Sequence, residues 1–213
     1  MDAQLGANMD RNALDSLSKE ELINTIMKMN QDFYKVTQMR LYYLERNAYM
    51  YEQYGRRESF EIVGIPKRID DQQLEDEVID ILKEAKVEVN NEEITKKDIV
   101  AVHRIGKEKA TTIVRVVNRK FSWKALTSGK NLKDSNRYGE GKIFINPSLC
   151  KEFKFINYAV RQAKKRNLIH RYSVRNGVTY VQMKEQDETW KEIAHVLDLE
   201  NLKIPIPPRN RGI

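Results

Sequence analysis

Apolar residues between positions 14 and 55 recur at spacings of four and three: Leu22, Ile26, Met29, Phe33 and Val36, then Tyr43, Met50 and Tyr54. This is a heptad seam, with Arg40 and Asn47 falling on it as polar exceptions. The stretch holds no proline, and its only glycine is Gly55 at the far end. Ser18 stands three residues before Glu21, which reads as a capping box that starts a helix. Such a helix would be about 57 Å long at 1.5 Å per residue. A stripe of that length outruns any small domain that could cover it, so it is expected to pair with copies of itself. Within it, residues 40–45 read Arg-Leu-Tyr-Tyr-Leu-Glu, the pattern of three-stranded parallel coiled coils. Leu41 and Leu44 would form the core pair, with Arg40 and Glu45 bridging neighbouring chains. This pattern moves the seam by one residue, so either the coil contains a discontinuity or one of the two registers is displaced. The expected assembly is a homotrimer, with a dimer as the alternative. The competing reading is a long helix folded back on its own domain.

The periodicity breaks at "YGRRES" (54–59), which reads as a hinge. After it the pattern alternates. "FEIVGI" (60–65) predicts a strand closed by Pro66, and 70–87 an amphipathic helix with Leu74, Val78, Ile81 and Leu82 on one face. "DIVAVHRI" (98–105) and "TTIVRVV" (111–117) predict two strands, 119–133 a helix ended around Gly129, and "GKIFIN" (141–146) a fourth strand. The order β-α-β-β-α-β is the ferredoxin-like, split-βαβ arrangement that RNA-recognition motifs share.

Beyond Pro147 the pattern predicts a helix over 147–167, a hairpin over 169–183 turning at Asn176-Gly177, and a closing helix over 188–202. The remaining "KIPIPPRNRGI" reads as an extended tail. The fold class expected is therefore α+β in four parts. These are a coiled-coil helix (1–55), an RNA-recognition-like domain (56–146), a small basic helix–hairpin–helix domain (147–202) and a tail (203–213).

Charge sharpens this division. Residues 1–100 carry 14 Lys/Arg against 21 Asp/Glu, a net of −7, whereas residues 101–213 carry 24 against 10, a net of +14. Opposed halves suggest that one part handles assembly and the other meets a negatively charged partner. One cysteine, Cys150, excludes an internal disulfide and a multi-cysteine metal site. No run of eighteen apolar residues and no signal-peptide layout are present, so an intracellular setting without membrane insertion is expected.

Catalytic chemistry finds little support. His103, His170 and His195 sit in separate elements without ligand spacing, Cys150 has no local histidine signature, and Gly139–Gly141 reads as a turn rather than a phosphate loop. No enzyme, metal or cofactor is expected. The basic residues suggest more. Arg104 ends the second strand beside His103, and alternation puts Arg115 on the face opposite Val114 and Val116. Lys124, Lys130 and Lys133 line the second helix and its exit, with Arg119, Lys120, Arg137 and Lys142 nearby. In the last unit Arg161, Lys164, Lys165 and Arg166 lie near Arg171 and Arg175. Two basic units joined by a short link could form a cleft that tracks the phosphates of single-stranded RNA or DNA, with His103 and Arg104 in its floor. The first and third strands lack the aromatic platforms of common RNA-recognition sheets, so Tyr172 and Tyr180 on the hairpin are the candidate base-stacking residues. The alternative is a structural or trafficking adaptor whose basic module binds proteins.

Several motifs, "RRESFEIVGIP", "DIVAVHRIG", "TTIVRVVNRK", "KNLK", "IFINPSL", "AVRQAKKRN" and "VRNGVTYV", follow in the order found in two related families. Over about 56–200 the chain resembles the first-open-reading-frame protein of LINE-type retrotransposons, a nucleic-acid chaperone. Residues 143–200 also look like the C-terminal domain of the baculovirus few-polyhedra protein. The first resemblance implies a trimeric coiled coil and two domains that clamp single-stranded nucleic acid. It implies phosphate contacts for Arg104 and Arg115 and, more loosely, for Lys130, Arg161 and Arg175. The second implies a viral protein of similar size, at work in host cytoplasm or nucleus or carried in the virion, with viral structural proteins as further partners. The chain's length favours the viral relative. Ser173 departs from both, standing where these domains often place a tryptophan before the Asn-Gly turn.

Overall fold

A computed structural model describes residues 18–106, 111–139 and 142–208. It is a mixed α+β protein whose first described element is a long helix, α1 (Lys19–Gly55). Ser18 caps it as the sequence predicts. Its hydroxyl donates to a Glu21 carboxylate oxygen at 2.7 Å and accepts from the Glu21 amide at 3.3 Å, while its own amide donates to the same carboxylate at 2.8 Å. Contacts divide the chain at Glu45/Arg46, ten residues before the boundary expected at 55. No helix among the described residues is long and apolar enough to cross a membrane.

Up to Glu45 no described residue is buried. Phe33 is 73% exposed, and Ile26, Met29, Leu41 and Leu44 are also open. A second series, Ile23, Met27, Tyr34, Leu41 and Leu44, runs one position beside the first, and its members are all exposed too. The one-residue offset seen in the sequence is thus a matter of two adjoining apolar rows on one helix.

From Arg46 onward the chain encloses two apolar cores. The first lies under a four-stranded antiparallel sheet built from β1 (Ser59–Val63), β4 (Ile99–Ile105), β5 (Thr111–Val116) and β6 (Phe144–Pro147). Their spatial order is β4-β5-β1-β6. Helices α2 (Leu74–Glu84) and α3 (Arg119–Ser128) contribute Leu74, Val78, Leu82 and Ala125 to that core. A two-residue ribbon, β2 (Glu88–Val89) with β3 (Glu92–Glu93), follows α2; the apolar pattern gave no sign of it. Of the strand expected over 141–146, Gly141 lies outside the described residues, and the ladder begins at Phe144.

Register decides which side chains are covered. Phe60 stands opposite Val114, Ile62 opposite Thr112, Val114 opposite Val102, and Thr112 opposite Arg104. Partners in an antiparallel pair point the same way, so Arg104 belongs to the helix-covered face. His103, Ile113, Glu61 and Asn146 share the other face.

The second core packs α4 (Lys151–Lys165) on a three-stranded sheet, β7 (Arg171–Arg175), β8 (Val178–Gln182) and β9 (Lys191–Ile193). The hairpin turns at Asn176 and Gly177, both at positive φ, as a tight two-residue loop requires. The helix expected over 188–202 is a correction: its first half is β9, and only α5 (Val196–Asn201) is helical. His195 sets that start, because its Nδ1 accepts from the Leu197 amide at 3.2 Å while the Asp198 carboxylate accepts from the Ala194 and His195 amides at 2.9 Å. A capped first turn cannot extend backwards, so the preceding residues are free to pair with β8.

The last turns of α1 belong to this second core. Tyr49 and Met50 pack against it, and Arg46 forms an ion pair with Glu192. Gln53 is buried and bridges two segments: its Nε2 donates to the Ser148 carbonyl and its Oε1 accepts from the Cys150 amide, both at 2.9 Å. At the expected hinge, 54–59, the chain makes a turn closed by the Ser59 amide on the Arg56 carbonyl at 2.9 Å.

Candidate functional site

Between the two cores of this body opens a cleft of about 900 Å³. Four segments wall it: the α1–β1 turn, one face of α3, the free edge of β6, and α4 with the β7–β8 hairpin.

On α3, Phe121, Ser122, Ala125 and Ser128 are buried, while Arg119, Trp123 and Thr127 recur every fourth residue along the face that lines the cleft. Asn118 fixes the start of that helix by accepting from the Lys120 amide at 2.9 Å. Trp123 is 65% exposed. On α4, Phe153, Ile156, Ala159 and Val160 face the core, leaving Asn157 and Arg161 one turn apart on the cleft side. From the hairpin come Tyr172, Val174 and Arg175. The Arg175 guanidinium lies over the rings of Trp190 and Tyr180, at 5.0 and 5.5 Å from their centroids, which holds its charge at the rim. The α1–β1 turn adds Arg56, paired with Glu52 at 2.9 Å, and Arg57, stacked on Tyr54 at 4.5 Å.

Six cations thus line the cleft (Arg56, Arg57, Arg119, Lys120, Arg161 and Arg175), and no aspartate or glutamate is among the lining residues. A concave wall of one sign focuses its field and draws in a polyanion. Beside it lies a smaller depression of about 500 Å³, lined by Lys130, Lys133, Lys142, Phe144 and Asp134. The two share Leu126 and Ile145, so the basic track continues along the β6 edge.

Gln53 also braces the cleft floor. A Cβ built on Gly177 would fall 2.2 Å from its Nε2, so the hairpin turn can approach this closely only as glycine. Cys150 lies behind this brace, and its thiol is pushed up by burial, away from the thiolate form a nucleophile needs. Among the described residues no group of three His, Cys, Asp or Glu could hold a metal.

The sequence-predicted residues separate into groups. Arg119, Lys120, Arg161, Tyr172 and Arg175 meet in the cleft, and Lys130 and Lys133 in the depression beside it. His103 and Arg115 are exposed on the open sheet face, where Arg115 lies 3.7 Å from Glu58. Lys124, Lys164, Lys165 and Arg171 line neither; Lys164 donates to the His170 carbonyl at 2.6 Å. Two assignments are corrected. Arg104 is no part of a cleft floor: its side chain is 4% exposed, donating to the carbonyls of Ile65, Pro66 and Ile69, with Asp71 at 3.4 Å. Arg137 is taken up by α2, through Glu77, Asp80 and Glu84. Arg56, Arg57 and Trp123 escaped the sequence reading, although the every-fourth-residue spacing of Arg119, Trp123 and Thr127 was available to find the last.

No family model matches the chain, and no curated protein sequence matches it either.

Proposed function

We propose that this chain is a non-enzymatic, single-stranded nucleic-acid binding protein. Residues from Arg46 onward hold the strand, and α1 gathers copies of the chain into a trimer. The observation that carries the reading is the cleft of six cations, open aromatics and no carboxylate. Each phosphate neutralised releases counterions, and for single strands the log–log salt slope is about −0.7 per contact, so six contacts would give a slope of about −4. The strand order β4-β5-β1-β6, with a helix after β1 and after β5, is in keeping with a split-βαβ, RNA-recognition-like domain. The sequence resemblance to the few-polyhedra and LINE-type proteins points the same way, to a viral or mobile-element protein. The exposed apolar rows of α1 support self-association.

The test is fluorescence anisotropy of the full chain with a labelled single-stranded 30-mer RNA at several salt concentrations, beside single- and double-stranded DNA. Submicromolar binding that weakens steeply with salt is expected. Arg119→Glu with Arg161→Glu should weaken it at least about tenfold, with unfolding unchanged within about 0.5 kcal/mol and the sedimenting species unchanged. Equal affinity in the double variant would remove the cleft from the interface. Weak binding, indifferent to the kind of polyanion, would favour an adaptor that docks proteins.

A further inference from the structure

Resting on that reading of the cleft, the geometry points to Trp123 as a base-stacking residue, which we infer makes the site select unpaired strands with accessible bases. Phosphate attraction alone is blind to bases and would accept a duplex or a bare backbone. A tryptophan 65% exposed on a helix would mean little by itself, since single surface apolar residues are common. Its surroundings give it meaning. Trp123 stands one helical turn from Arg119, on the face of α3 that lines a cation-rich wall without a carboxylate.

The usual stacking platform is also missing. On the open sheet face the central positions are Glu61 and Ile113, and the Glu61 carboxylate is met by Lys154 of α4 at 2.8 Å. The two central strands give a base no aromatic to lie on there, and Phe144, 54% exposed, shares that face only at its edge on β6. Of the exposed aromatics from Arg46 onward, only Trp123 and Tyr172 line the cleft among the described residues. A strand held by Arg119 and Arg161 brings its bases to these rings. Stacking on an indole is sequence-tolerant because every base has a π face, but duplex bases are already stacked on one another.

The test uses the full chain and two single-stranded DNA 30-mers, one normal and one wholly abasic with the same phosphates. Wild type should bind the normal strand about tenfold more tightly than the abasic one. Trp123→Ala should close that gap to within about twofold while leaving the salt slope unchanged, since no phosphate contact is lost. Trp123→Phe should keep most of the gap. A gap that persists in Trp123→Ala, or equal binding of both strands by wild type, overturns the stacking role and leaves the electrostatic cleft standing. Failure to bind either strand overturns both.

Discussion

Two sets of arginines that look alike in the sequence have opposite fates in the fold. Arg104 and Arg137 sit at the α2 end of the sheet and are consumed by their own chain, one by backbone carbonyls and the other by three carboxylates. Arg119 and Arg161 stand in the cleft, whose lining carries no acid. The difference is one of neighbours. Within the acidic half of the sequence, α2 and the loop before it carry the acids that neutralise these two side chains. The cleft is built from segments with few acids: Glu52 pairs with Arg56, and the charge of the other lining cations is left for a partner. Net charge per half therefore overstates the interface, and only the unmatched part of it is available for binding.

Removing Arg104 gives the largest expected effect on stability. Arg104→Ala strips the donors from three carbonyls around the β1–α2 loop, so we expect a loss of about 2–4 kcal/mol in urea unfolding. At temperatures where the variant remains folded, affinity for single-stranded RNA should stay within about twofold of wild type. A fully folded Arg104→Ala protein that bound RNA tenfold more weakly would return this residue to the interface and erase the contrast.

Gln53 sharpens the comparison from the cleft side, because its neutral side chain holds the cations where they are. Gln53→Ala leaves the Ser148 carbonyl and the Cys150 amide buried without their partner, at a cost of about 1–3 kcal/mol. It also frees the hairpin turn from its brace at Gly177, so affinity should fall severalfold even in folded protein, unlike Arg104→Ala. Denaturant midpoints measured alongside anisotropy on the same samples separate the two behaviours.

What could be read in advance follows from the range of each signal. Heptad spacing, the Ser18–Glu21 cap, the Asn176-Gly177 turn and the strands of the first sheet are local patterns, and the chain forms them where they occur. β9 was lost because Trp190 to Ile193 fits a helix face as well as an edge strand, and only the His195–Asp198 cap decides between them. The site was half legible for a related reason. Alternation could have placed Arg104 on the covered face beside Val102, since the two are two residues apart on one strand. That α4 and the hairpin would come to face α3, making a wall with Trp123 and Arg57, is set by tertiary packing that no local pattern records.

The smallest effect is expected where Arg137 is consumed. Burial alone would raise the Glu77 carboxyl, but hydrogen bonds from Arg137 and Tyr138 outweigh it and hold the group below the ordinary value of about 4.3. A carboxylate that titrates lower in the folded protein than in the unfolded chain stabilises the fold fully above its unfolded value. That contribution is lost as pH falls through the folded value. Arg137→Gln removes the charge that depresses it, so the melting temperature should drop by about 1–3 °C at pH 7, an effect limited by solvent screening. The variant should also lose less stability than wild type on further acidification below about pH 4, since less of the stabilisation from ionised Glu77 remains to be lost. Its RNA affinity should not change. A binding defect in Arg137→Gln with the acid limb unaltered would mean that this arginine faces a partner after all, and that the acids of α2 do not claim it.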